Sequence, residues 1–310
     1  NGKYKGVSPF GDIPLLQGAG MTKAEKAGAY TIRVTALLTI SIFVFLFLFI
    51  CYEGLPVFTH TSVYSFLFSH TWNPLADVPA FGIGAMIGGS LYVSFLSVFF
   101  ALPIGAGCAF FIEFCTPSGV KGVILAFIDM LAGVPSVIFG FIGLTVIVKG
   151  MERIFNLSTG ECILSAALVL AVMILPFIVA NCAESVESGR RLYEDAVTCL
   201  GIDKWYFMSR LLLPHVKNAL LVSLILSFAR AMGETMAVMM VMGNAAAAPR
   251  LLDKGESVPA LIALEMGSAE YGSPHYEALY AAGMVLMAVL ILSNILFYMF
   301  RKSAGEDTRI

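Results

Sequence analysis

Apolar residues in this chain gather into six long runs separated by short polar stretches, at about residues 32–52, 84–112, 122–148, 163–183, 216–243 and 276–300. Each reaches or exceeds the roughly 20 residues an α-helix needs to cross hydrocarbon. The runs are continuous, without the two-residue alternation of an outer-membrane barrel, so each span is predicted to be a helix that satisfies its own backbone. The pattern therefore predicts an all-α membrane protein with six transmembrane helices.

The runs differ in texture. The first is rich in Phe, Leu and Ile with almost no small residues, as suits a peripheral helix facing lipid. The next three carry Pro103, Pro135 and Pro176 among glycines and alanines, which allow close helix contact and kinks. Gly133 and Pro135 are the candidate gating kink, because the proline frees a carbonyl and Ser136 sets a hydroxyl beside it.

The polar stretches fix an expected orientation. With the N-terminus inside, the inner segments collect most of the lysines and arginines, among them Lys3, Lys5, Lys23, Lys121, Arg190, Arg191, Lys204, Arg210, Arg301, Lys302 and Arg309. The outer segments hold Lys149, Arg153, Arg250 and Lys254, and residues 53–81 hold none. Cytoplasmic loops carry the basic excess, so both termini are expected in the cytoplasm. The first run is too long for the core of a cleavable signal and lacks a convincing small-residue cleavage site, so it is expected to remain as an anchor.

Composition agrees. The chain has 58% hydrophobic and 13% charged residues, with mean hydropathy +0.86, too apolar for a soluble domain. Net charge is −2 and its distribution follows topology, which removes a nucleic-acid role. Six cysteines show no C-x-x-C pair and no nearby histidine cluster, and read as free packing thiols. His60, His70, His215 and His275 stand apart and form no catalytic constellation.

Against this background Arg230 is out of place. It lies inside the fifth run, where a charge is costly and usually functional. Glu234 follows four residues later, on the same face if the run is one helix, so the pair reads as a candidate anion contact or as a buried pair that locks packing. Thr235 and Asn244 are candidate pathway-lining groups, or a hydroxyl bonded to backbone and a polar helix end. Asp129 and Glu184 sit near span boundaries, where carboxylates are commonly solvated or paired.

Between the fourth and fifth runs, residues 190–214 are amphipathic and too polar to span. They predict a short helix ending at Gly201 and another starting near Asp203, either docking a partner or lying on headgroups. Asp195, Ala196 and Val197, then Gly201, then Leu211, Leu213 and Pro214 resemble the signature loop of ABC importer permeases, in which an E-A-A triplet precedes a glycine and an I-x-L-P string at the same intervals. Asp195 stands where that family has glutamate, and Val197 where it has the second alanine. In the family this loop fits a cleft on the ATPase subunit.

A narrower resemblance covers roughly residues 81–302. The string from Arg230 to Val238, R-A-M-G-E-T-M-A-V, with L-A-G-V-P-S-V-I-F-G from Leu131 to Gly140, and Gly201 with Lys204, Trp205 and Pro214, is similar to the phosphate-specific importer permeases, and of their two paired subunits to PstC rather than PstA. The resemblance implies a six-helix type I ABC importer permease in a bacterial cytoplasmic membrane. Its organisation would be a cytoplasmic segment 1–31, a peripheral helix 32–52, an extracytoplasmic loop 53–83, a core permease domain 84–300 with a coupling loop about 184–215, and a cytoplasmic tail 301–310. Implied partners are a PstA-like second permease, two cytoplasmic ATPases and an extracytoplasmic phosphate-binding protein. No Walker motif is present, so no cofactor is expected on this chain, and ATP and Mg belong to the partner subunits.

Arg230, Glu234, Thr235 and Ser136 are then expected in the pathway, Pro135 and Gly133 at the gate, and Asp195, Ala196, Gly201, Lys204 and Pro214 in ATPase coupling. A permease for sulfate, molybdate or phosphonate remains open, since one arginine does not choose among oxyanions. An ion-driven secondary transporter, which would need no ATPase, is the third reading.

Overall fold

The computed structural model describes residues 23–306. Residues 1–22, with Lys3 and Lys5, and residues 307–310, with Arg309, lie outside the described residues. The chain divides after Phe49 into two compact units, Asn1–Phe49 and Ile50–Ile310.

Helix α1, Lys23–Gly54, starts earlier than the apolar run, taking in part of the expected N-terminal segment. Its threonines turn inward on their own helix. The hydroxyls of Thr31, Thr35 and Thr39 donate to the carbonyls of Ala27, Thr31 and Thr35 at 2.9, 3.0 and 2.8 Å. Polar groups in hydrocarbon have no water to use, so this back-bonding makes the helix compatible with lipid.

The segment after α1 is more than a loop. It forms a 3₁₀ turn at Leu55–Thr59, α2 at Val63–Phe68, and a small antiparallel hairpin of β1, Trp72–Asn73, and β2, Ala80–Phe81. Trp72 pairs with Phe81 and Asn73 with Ala80. Two long helices follow in the interior, α3 at Gly84–Cys115 and α7 at Ile163–Cys199, and they form the most extensive helix pair of the molecule. Val98, Ala101 and Ala109 of α3 pack on Ala171, Ile174 and Ile178 of α7. Lipid tails are as apolar as these residues, so van der Waals fit between small and branched side chains holds the pair. Pro103 and Pro176 lie inside these helices without ending them.

Between them the third run does not form one span. It divides into α4, Ser118–Ala132, and α5, Ser136–Ile142, which continues through a π-helical turn, Gly143–Val148, into α6, Lys149–Phe155. The halves meet at 93°. Proline disfavours helical backbone at the residue before it, so Val134 cannot carry α4 forward into Pro135. The expected kink is therefore a full break.

The fourth span continues well past Ala183, because α7 carries the first half of the predicted amphipathic segment as its own last turns. Gly201 then turns with φ +62°, a left-handed value that favours glycine. Asp203 caps α8, Lys204–Tyr206, its carboxylate accepting from the amides of Trp205 and Tyr206. A π-helical turn, Phe207–Leu212, leads into α9, Leu213–Met232. The predicted short helix ending at Gly201 is thus the end of a 37-residue helix.

The chain ends with α10, Met236–Val241, α11, Val258–Glu265, and α12, Pro274–Glu306. Among the described residues five helices are long and apolar enough to cross a membrane, or six if the bent pair counts as one span.

Candidate translocation and coupling sites

The fifth run breaks as well, and the break carries the candidate anion contact. Helix α9 ends at Met232, where the Gly233 amide closes onto the Ala229 carbonyl at 3.3 Å. Glu234 and Thr235 lie between helices, and α10 begins at Met236. The expectation that Arg230 and Glu234 share a helical face is therefore overturned. Glu234 Oε1 instead accepts from the Ala237 amide at 3.2 Å. It caps α10, where a carboxylate meets the positive end of the helix and an amide with no intrahelical partner.

Arg230, in the last turn of α9, is exposed in the single chain and has no hydrogen bond or ion pair among the described residues. The Thr235 hydroxyl reaches only its neighbour's carbonyl, Gly233 O, at 3.5 Å. Asn244 has φ 47° and donates to Met239 O at 2.8 Å, so it terminates a helix, the plainer of its two readings.

The two broken runs come together beyond their breaks. Helix α5 packs on α10, and Gly140 makes the approach possible. A Cβ there would lie 2.8 Å from Met240 Sδ and 3.1 Å from Ala237 Cα. Ser136 opens α5 half-buried, with Pro135 and Gly133 exposed at the bend. Gly133 has φ −85°, open to any residue, so the break owes its shape to Pro135. Irregular backbone at membrane depth persists only where protein buries it or a water-filled cavity meets it.

The coupling candidates cluster at one end of the molecule. Asp195, Ala196 and Gly201 are exposed, as are Leu200 (74%) and Trp205 (73%), side chains too apolar to face water unpaired. Pro214 is exposed in the first turn of α9, a position that needs no amide. Lys204 is also exposed, and its Nζ donates to the Phe114 carbonyl at 2.7 Å.

A family model described as the binding-protein-dependent transport system inner membrane component matches residues 101–305. The chain belongs to this family. It is a permease subunit of an ABC importer, a multi-pass membrane protein. The permease is 34% identical over 88% of its length to the probable ABC transporter permease protein YqgH of Bacillus subtilis, covering 89% of that protein. It is 29% identical over 89% of its length to the probable phosphate transport system permease protein PstC of Methanocaldococcus jannaschii, covering 93% of it. Against PstC of Xylella fastidiosa the identity is 30% over 78% of the chain and 81% of the relative. In fold it resembles the MetNI methionine ABC transporter in an inward-facing conformation, with TM-score 0.55, 15% identity, and coverage of 70% of this chain and 93% of that one.

Two polar groupings in the permease escaped sequence reasoning. Buried Glu113, near the end of α3, takes Lys121 of α4, whose Nζ lies 2.8 Å from Oε1 and donates to Oε2 at 2.9 Å, and Lys121 also reaches Glu187 of α7 at 3.4 Å. At the other grouping Trp72 Nε1 donates to both Glu265 oxygens at 3.1 and 3.0 Å, and His275 Nε2 lies 2.7 Å from Glu265 Oε2. His275 therefore does not stand apart, and Trp72 ties the hairpin to α11. Glu256 lies beside them, 6% exposed; burial, with a smaller push from Glu265, raises its carboxyl to about 7. The partners lie 8 to 193 residues apart, beyond the reach of helical spacing.

Proposed function

We propose that this permease forms half of an ATP-driven phosphate import pathway, working by alternating access. The observation that carries the reading is Arg230, an intramembrane guanidinium with no partner among the described residues, beside a helix break. A guanidinium is planar, permanently charged and matches two oxygens of a tetrahedral anion at once. Relatives named as phosphate transport PstC proteins support the choice of anion. Thr235 and Ser136, at the two breaks, would supply hydroxyls to the same path, and Pro135 with Gly133 would bend between its states. Glu234 holds the α10 terminus in place and keeps its negative charge engaged there.

The rest of the machine follows from the same reading. A PstA-like permease would complete the pathway, two cytoplasmic ATPases carrying ATP and Mg would dock on residues 184–215, and an extracytoplasmic phosphate-binding protein would deliver the anion. Asp195, Ala196 and Gly201 would present the docking surface. The chain would cross the bilayer six times, with α4 to α6 as one broken span and both termini cytoplasmic.

The deciding experiment is radiolabelled phosphate uptake in cells carrying the wild-type complex or Arg230→Gln, with arsenate and sulfate as competitors and membrane levels of the complex measured in parallel. The expected result is uptake lost in the variant at normal complex levels, with arsenate competing in wild type and sulfate not. Equal competition by sulfate would instead favour a general oxyanion permease, and normal uptake by Arg230→Gln would remove Arg230 from the path.

A further inference from the structure

Helix α3 ends without a cation of its own. Its last turn has no basic residue, and Thr116 leaves the helix in extended backbone. The final carbonyls of a helix lack intrahelical partners and sit at the negative end of its dipole. Two cations from far along the chain occupy that end. Arg190 Nη1 donates to the Glu113 carbonyl at 2.6 Å, and Lys204 Nζ to the Phe114 carbonyl at 2.7 Å. Both also stand over the Phe114 ring, at 5.5 and 5.8 Å from its centroid. Arg190 is steadied by Glu194, which accepts from Nε at 3.2 Å and from Nη2 at 2.8 Å.

These cations come from opposite sides of the Gly201 turn. Arg190 is on α7 before it, and Lys204 opens α8 after it. Phe207 completes the contact edge-on to Phe114, with centroids 5.8 Å apart. A cavity of about 230 Å³ lies among Phe114, Arg190, Glu194, Val197, Ile202 and Lys204, so part of the join is bridged by the cations rather than filled by packing.

We propose that Arg190 and Lys204 are positioning residues that clamp the coupling segment to the C-terminal end of α3, so that motion of the segment enters the membrane through α3. Helix α3 packs along both α7 and α9, and α9 carries Arg230. The clamp thus joins the ATPase-facing surface to the helix beside the pathway. Within the segment, Trp205 stands 73% exposed while the Lys204 ammonium is held at the end of α3. The inference rests on the reading that the ATPase docks at residues 184–215.

The test uses the whole complex in liposomes, with Lys204→Met, which keeps an apolar stem, and Lys204→Arg, which keeps a cation. Lys204→Met is expected to retain the co-purifying ATPase but to transport about tenfold less substrate per ATP hydrolysed, within the usual range of coupling between sites. Lys204→Arg is expected to restore the ratio. Loss of the ATPase from Lys204→Met would make Lys204 a docking contact and overturn the clamp, as would an unchanged ratio.

A second measurement needs no substrate and leaves Arg190 and Lys204 in place. Cys115 and Cys199 are exposed on the two sides of the clamp, and with Cys51 and Cys108 replaced by serine they can carry spin labels. Their separation should be the same in nucleotide-free and vanadate-trapped complexes. A shift beyond the width of the distance distribution would overturn the clamp. Failure of the phosphate reading would instead show as absent phosphate transport in wild type with the label distance unchanged.

Discussion

Arg230 and Glu256 are both charged side chains in apolar company, and their settings give them opposite consequences. Arg230 cannot lose its proton, so it must meet an anion, water or a partner subunit. Glu256 can instead take up a proton, because burial raises its carboxyl to about 7. Its folded-state value is about 7, above the ordinary 4.5, so its contribution to stability is complete below about 4.5 and lost as pH rises through about 7. Melting of the purified complex between these limits should therefore fall with pH, and Glu256→Gln should flatten the slope and gain on the order of 3 kcal/mol above pH 7. A wild-type melting temperature that rises over that interval would contradict this account. Arg230 was legible from the sequence because a charge interrupts an apolar run. Glu256 was not, because its burial depends on α3 lying beneath its loop, where the Ser90 hydroxyl accepts from the nearby Val258 amide at 2.9 Å.

At the level of elements, helix ends separate what was legible from what was not. Pro135 announces a kink, since proline lacks a backbone N–H and restricts the residue before it. The second break has no proline, and the run at residues 216–243 reads as one span because its apolar residues continue across Gly233. What ends α9 is a local closure at Gly233, followed by the cap that Glu234 gives α10. Glutamine can accept the same hydrogen bond without charge, whereas alanine cannot. Glu234→Gln should therefore melt near wild type and Glu234→Ala about 1 kcal/mol lower, in the range for a lost helix cap. Equal losses for both variants would show that the charge of Glu234, rather than its cap, is what matters. The coupling segment follows the same logic: the glycine turn and the Asp203 cap were visible in residue type, but the merging of its first half into α7 was not.

For the whole molecule, family membership and fold agree on a membrane-embedded permease, and the remaining question of scale is which end faces inward. Exposed Cys115 and Cys199 mark the end that carries Glu113, Lys121, Arg190 and Lys204. A membrane-impermeant maleimide should label them in inverted vesicles and spare them in intact spheroplasts, the complex being present equally in both. Labelling in spheroplasts would reverse the proposed orientation. The sequence by itself determined the class of protein, the positions of the apolar runs, the resemblance of residues 195–214 to an importer signature loop and the place of Arg230 within an apolar run, because each is written in composition or in local spacing. Tertiary structure alone decided that two of those runs break and that their second halves pack together. It also decided that Glu234 serves a helix end and that Lys204 and Arg190 cap a helix 90 and 77 residues before them. In a membrane nearly every side of a span is apolar, so the hydrophobic pattern marks depth but not neighbours. Which polar group meets which is set only when the helices pack.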